Sequence, residues 1–213
     1  LLIWPMITAV QLDDQHADRI AWSWEKDGTF SAKSAYAAKF AAREVSPTAA
    51  FTGRSRTPLR CRFFAWLAIM NHCWTSDRLA RRGLPHQDAC PFCDQHEETI
   101  SHLLMECVFV REVWAKVFTA MDAPHGAPRV GEPLPDWCAR QETHGRPART
   151  MRTLCLLVMW ELWKHRNDCV FNGTIPNAYL ILQTVAKREY RLVEPMRPGI
   201  SPASLCPGLL GTV

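Results

Sequence analysis

Residues 90–107 read CPFCDQHEETISHLLMEC, a spacing of C-x2-C-x8-H-x4-C. Two cysteines separated by two residues fold into a tight turn that presents both thiolates to one cation. Zinc takes four such ligands in a tetrahedron, at about 2.3 Å for sulfur and about 2.0–2.1 Å for nitrogen. The second pair must come from a neighbouring element, and residues 98–107 supply it. Thr99 or Ser101 can start a helical turn that places His102 inward. Cys107 follows five positions later, close to the same face if the helix loosens at its end. Cys90, Cys93, His102 and Cys107 are therefore the candidate ligands of one zinc ion. His96 lies nearer to Cys93 and is the rival of His102, but it sits in a charged run, residues 94–98, expected at a loop tip. Four protein ligands close the zinc shell, so the metal is expected to be structural.

Outward from this stretch the pattern is mostly helical. Residues 59–71 are densely apolar, with Phe63, Phe64, Trp66, Leu67 and Met70 at helical spacing, which predicts a largely buried helix. Thr75-Ser76-Asp77 supplies the cap and acidic first turn of a short helix, and Gly83 its left-handed stop. Nearer the start, Ile20, Trp22 and Trp24 alternate before a turn at Lys26-Asp27-Gly28 and the pattern resumes at Phe30, predicting a short β-hairpin. Ser31 or Ser34 then caps a helix with Tyr36 and Phe40 on its apolar face, running to about Arg43. Residues 45–58 read as a loop. Downstream, Val113, Trp114, Val117 and Phe118 build an amphipathic helix over 109–121. Two more helices are expected over 148–171 and 176–193, with Pro176 in the first turn of the second. The expected fold is mainly α: a small zinc-binding domain with a short N-terminal β-hairpin and a C-terminal helical extension. Its parts are an N-terminal segment (1–18), the zinc domain (19–121), a Pro/Gly-rich linker (122–147), the helical extension (148–194) and a flexible tail (195–213).

The 213 residues are 47% hydrophobic and 22% charged, ordinary globular usage that excludes disordered, collagen-like and heptad-dominated chains. The net charge of +4 is mild, so its placement matters more than its size. Arg54, Arg56, Arg60, Arg62, Arg78, Arg81 and Arg82 face only Asp77 and Asp88 between residues 51 and 90, a local excess of +5. The longest apolar run, 154–160, stops at Glu161, far short of the roughly 20 residues that cross a bilayer. The opening residues lack a basic stretch and cleavage site, so an intracellular protein, cytoplasmic or nuclear, without membrane contact is expected. The absence of an initiator methionine suggests an excised piece or an incomplete gene sequence. Of nine cysteines, Cys61, Cys73, Cys138, Cys155, Cys169 and Cys206 show no repeated spacing and are expected as buried thiols. An odd total without a signal peptide argues against a disulfide framework.

The ordered fragments W-x-W-x-x-D-G-x-F-S-x-K-S-A-Y (22–36), F-F-A-W-L-A (63–68), T-S-D-R-L-A-R-R-G (75–83), C-P-F-C (90–93), E-T-I-S-H-L-L-M-E-C (98–107) and V-W (113–114) resemble the zinc-binding domain of plant non-LTR (LINE-type) reverse transcriptases. W-x-L-W-K-H-R-N at 160–167 resembles the stretch that often follows that domain. The family's metal ligands fall on Cys90, Cys93, His102 and Cys107, the set already reached from spacing. One departure is Phe51, which stands where the family usually has a tryptophan. The middle gap is longer than in the retroviral-type zinc knuckle, so the ligand set is related and the motif is not the same.

The resemblance implies a structural-zinc module from the C-terminal part of a retroelement polyprotein, with RNA or DNA and the other polyprotein domains as partners. No catalytic residues are expected. A reverse transcriptase needs paired carboxylates for Mg²⁺, and none follows Tyr36, Tyr179 or Tyr190, while the Asp13-Asp14 doublet lies in a polar segment. RNase H carboxylates are not visible either. The seven arginines named above are the candidate phosphate contacts, with exposed aromatics as stacking partners. The alternative is a non-catalytic protein-interaction element, or a domesticated or decayed fragment. The tryptophan-rich helix with Met159, Trp160, Leu162 and Trp163 would support it if exposed, but is expected to pack over the zinc domain.

Overall fold

A computed structural model of the chain describes residues 20–40, 48–141 and 148–193, together with Pro5, Thr8 and Ala9. Most of the expected N-terminal segment, with Asp13-Asp14, and the tail with Cys206 lie outside the described residues. The elements are α1 (Ala32–Phe40), α2 (Thr48–Gly53), α3 (Leu59–Ile69), α4 (Ser76–Ala80), a π turn (His102–Glu106), α5 (Val108–Ala120), a 3₁₀ turn (Pro124–Gly126), α6 (Leu134–Arg140), α7 (Ala148–Asn172) and α8 (Ala178–Val193). They divide between two compact units, residues 1–45 and 46–213.

The first unit corrects the sequence reading. No strand forms among the described residues, so the expected N-terminal β-hairpin is absent. Residues 22–28 close a local turn instead. The Trp22 amide donates to the Gly28 carbonyl (2.8 Å), and Gly28 takes a positive φ of 71° that a side chain would resist. The alternation spanned three apolar residues, of which Ile20 and Trp24 are exposed, so a strand here would have no apolar face to bury. Trp22 turns to α1: its Nε1 donates to Ser34 Oγ (2.8 Å) and its ring meets Phe30 edge-on at 5.1 Å. Ser31 is the cap, its Oγ accepting from the Ser34 amide (3.0 Å).

In the second unit α7 is the axis. Leu154, Cys155, Leu156, Leu157, Val158, Met159 and Leu162 are all buried, so over 154–159 the helix is apolar on every side because neighbours surround it. It packs against α2, α3, α8 and the π turn. Gly173 (φ 63°) stops it, and α8 begins at Ala178, leaving Pro176 ahead of its first turn, with Asn177 capping it by accepting from the Leu180 amide (3.0 Å). Along α3 the buried side is Cys61, Phe64, Ala65 and Ala68. The small alanines let α7 approach, and Phe64 stacks on Trp163 (5.4 Å) and meets Trp160 edge-on (5.7 Å). Phe63, Trp66 and Met70, read from sequence as core, point outward.

The expected loop 45–58 contains α2, whose Phe51 is wholly buried and packs edge-on against Trp137 at 6.2 Å. Trp137 belongs to α6, inside the stretch expected as a Pro/Gly-rich linker, and is itself wholly buried against Trp114 at 4.9 Å. The Gly126 carbonyl accepts from both Trp137 Nε1 (2.9 Å) and Gln141 Nε2 (2.9 Å), tying the 3₁₀ turn to α6. A Cβ at Gly126 would overlap the wholly buried Phe118 ring. Gly126→Ala is therefore expected to cost about 1–3 kcal/mol by overpacking, measured as a lower urea midpoint with an unchanged m-value.

No described helix is long and apolar enough to cross a membrane.

Candidate metal centre

Cys90 opens the site. Its amide donates to the His96 carbonyl (2.8 Å), and its carbonyl accepts from the Asp94 amide (2.9 Å). Asp94 adopts φ 52°, so the chain doubles back directly after Cys93. Between the cysteines, Phe92 is buried against Phe109 (4.8 Å) and stacks on His165 of α7 (5.9 Å). Burial holds the His165 pKa below its ordinary value, and its Nε2 accepts from the Asn177 amide (2.9 Å). The turn that carries both thiols is thereby fixed to the C-terminal helices.

The second pair comes from the π turn. Thr99 is its start, the Thr99 Oγ1 accepting from the His102 amide (3.0 Å). In an α-helix, residues five apart sit about 140° from one another around the axis. Here the Cys107 amide donates to the His102 carbonyl (2.9 Å), a five-residue step that widens the turn. Cys107 is thereby brought back over His102, the loosening that the spacing demanded. Cys107 is also the residue before α5, with extended ψ of 133°. The Cys90 thiol, followed by the amides of Val110 and Phe109 in the first turn of α5, holds the Cys107 pKa below the ordinary thiol value. Cys90 is the other half of this pair, pushed up to about 12 by the hydrogen bond to Cys107 and by burial.

The donor atoms of Cys90, Cys93, His102 and Cys107 all lie within 4.8 Å of one another. Cys93 Sγ stands 3.3 Å from His102 Nε2. Tetrahedral zinc with bonds near 2.3 Å separates its ligand atoms by about 3.8 Å. The four side chains therefore fit one zinc ion with small adjustments, and three thiols with an imidazole are the donor chemistry that zinc selects. His96 does not join the cluster. Its ring centroid is 5.2 Å from that of His102, its side chain is exposed, and its carbonyl is what the site uses.

Sequence reasoning missed the support behind this cluster. Glu98 is wholly buried and pairs with the buried Arg166 of α7, Nη2 to Oε1 at 2.7 Å and Nε to both carboxylate oxygens at 3.1 Å. The same carboxylate accepts from the Ser76 amide (3.3 Å), and the Glu98 carbonyl accepts from the Asp77 amide (3.2 Å). One residue thus joins α4, the segment leading to His102, and α7. Both partners stood in the quoted fragments, at 98–107 and 160–167, but nothing local pairs residues 68 apart.

The candidate arginines do not form one uniform surface. Arg62 Nε donates to the Thr52 carbonyl (2.8 Å), Arg78 to the Asn71 carbonyl, and Arg81 pairs with Asp77. The Arg56 amide is bonded to Thr153 Oγ1 (3.0 Å) and its side chain is half-buried. Arg54, Arg60 and Arg82 are exposed, with Arg82 lying 4.4 Å above the Trp74 ring. The remaining described cysteines, Cys61, Cys73, Cys138, Cys155 and Cys169, are free thiols, and burial pushes Cys73 up to about 12.

No solved structure matches the chain. Over 104 residues it is 30% identical to an Arabidopsis thaliana protein carrying the provisional name ribonuclease H protein. The aligned part is 47% of this chain and 17% of that one, so the chain spans about a sixth of the curated relative's length. Residues 30–114, which contain all four converging donors, match the family described as zinc-binding in reverse transcriptase.

Proposed function

We propose that this chain is a non-catalytic module of a LINE-type reverse transcriptase polyprotein in which Cys90, Cys93, His102 and Cys107 hold one structural zinc ion. The ion sets the frame on which an arginine-bearing surface meets RNA or DNA. The convergence of three thiols and one imidazole inside the matched segment carries this reading. A closed four-ligand shell leaves no position for substrate, so the metal's contribution is rigidity. An intracellular setting agrees with a thiol-rich site that oxidation would destroy.

Phosphate contact falls to the exposed Arg54, Arg60 and Arg82 rather than to Arg62, Arg78 and Arg81, whose donors serve the fold. For single strands the slope of log affinity against log salt changes by about 0.7 per phosphate contact. Replacing Arg54 and Arg82 together by Gln is expected to flatten that slope by about 1.4, read by fluorescence anisotropy between about 50 and 200 mM salt. An unchanged slope would remove these arginines from the interface.

A second reading, a protein-interaction module, draws on α3. Leu59, Phe63, Trp66 and Met70 recur at i, i+4, i+7 and i+11 and are 41–75% exposed. The C-terminal tryptophans no longer support it, because Met159 and Leu162 are buried and Trp160 and Trp163 pack on Phe64. Absence of any nucleic-acid retention by the zinc-loaded protein would favour this second reading.

A further inference from the structure

A groove of about 650 Å³ runs between α4 and the C-terminal half of α7. Trp74, Trp163 and Phe171 give it aromatic walls, with His86, Asn167 and Arg166 adding polar edges. Trp74 and Phe171 are 47% and 75% exposed. Neither ring sits on a loose strand of chain. Trp74 is flanked by the buried Cys73 and Thr75, whose amide bonds back to the Cys73 carbonyl (3.0 Å). Phe171 is in the last turn of α7, two residues before the Gly173 stop.

The charge around this groove selects its ligand. Its α4 wall is Ser76 and Leu79; on and just after that helix Arg78 is bonded to the Asn71 carbonyl and Arg81 to Asp77, while Arg82 is exposed with its guanidinium over the Trp74 indole. Of the nearby carboxylates, Asp77 is buried and pairs with Arg81, Glu98 is buried and pairs with Arg166, and Asp88 is exposed beside His86. The Arg82 guanidinium beside flat apolar faces complements an anionic backbone bearing flat bases, and only unpaired bases have free faces to offer. The geometry points to this groove as a stacking site for the bases of a single-stranded nucleic acid, Trp74 and Phe171 providing the platforms and Arg82 a phosphate contact at the rim. The assignment rests on the nucleic-acid reading above and adds to it a place and a strandedness.

The test uses the full zinc-loaded chain with fluorescein-labelled oligo(dT) and oligo(U) of about 12 nucleotides, and a duplex of the same length. Trp74→Ala and Phe171→Ala are each expected to weaken single-strand binding about tenfold, with the salt slope unchanged because neither ring carries charge. Duplex affinity should stay within about twofold, and Trp74→Phe, which keeps a ring, should retain most single-strand affinity. Zinc content measured on each variant shows that the fold is intact. Single-strand binding unchanged in both alanine variants overturns the groove while leaving arginine-borne binding standing. Equal losses on single strand and duplex also overturn it, since the rings would then act through the fold. A wild-type chain that binds none of the probes defeats the groove and the nucleic-acid reading together.

Discussion

Stripping zinc with a chelator unfolds the segment from Cys90 to Cys107 and moves Trp114 from a dry site into water, seen as a red shift of its emission. Trp114 is the right reporter because it is 1% exposed and its Nε1 donates to the Leu104 carbonyl (2.8 Å), inside the π turn that carries His102. Trp66, half-exposed already, contributes little. The magnitude follows from what the ion must offset. Without metal, three thiols and an imidazole crowd within 4.8 Å of one another, largely buried and without the ion they would share, and burial of such groups is costly. Structural zinc contributes about 10–16 kcal/mol in small peptides, comparable with the whole stability of about 5–15 kcal/mol of an ordinary domain. If only about 4 kcal/mol of that reaches this larger core, Tm falls by about 10 °C or more. His102→Ala and Cys107→Ser should reproduce the loss and abolish binding of one zinc per chain, while His96→Ala should keep it. A metal-free chain that melts where the loaded one does would remove zinc from the account of the fold.

The cluster of four potential zinc donors was legible in the sequence because metal chemistry constrains residue type and spacing together within 18 positions. Helices with sustained periodicity were legible for a similar reason, as in Val113, Trp114, Val117 and Phe118. What was hidden depended on partners distant in sequence. Which side of α3 is buried could not be read from a helix apolar nearly all round; α7 decides it by bringing Trp160 and Trp163 against Phe64 and the alanines. Composition misled at 122–147, where prolines and glycines mask the helix that places Trp137 between Phe51 and Trp114. It misled again at residues 20–30, where three alternating apolar residues imitate a strand without the length or the buried face to form one. Phe51, which stood in the expected loop, reaches that centre by meeting Trp137 there.

Glu98→Gln should be the most damaging single substitution outside the ligands. Arg166 is 4% exposed and Glu98 wholly buried, so neither can turn to water when its partner changes. A neutral amide leaves the guanidinium buried without a counter-charge, and breaking such a pair costs about 3–5 kcal/mol. Arg166→Met leaves the carboxylate with the Ser76 amide and costs a similar amount. In the double variant neither charge remains, so the two losses should fall short of adding, with a coupling of about 1.5 kcal/mol or more in a urea-denaturation cycle. A merely local role would show losses that add. The effect should also reach the metal, because Glu98 immediately precedes Thr99, whose hydroxyl fixes the His102 amide. Zinc competition against a chromophoric chelator should therefore show weaker binding in Glu98→Gln, although none of the four ligands has been touched. If zinc affinity stays at the wild-type value while stability drops, α7 and the metal site are independent, and the pairing of residues 98 and 166 serves the core alone.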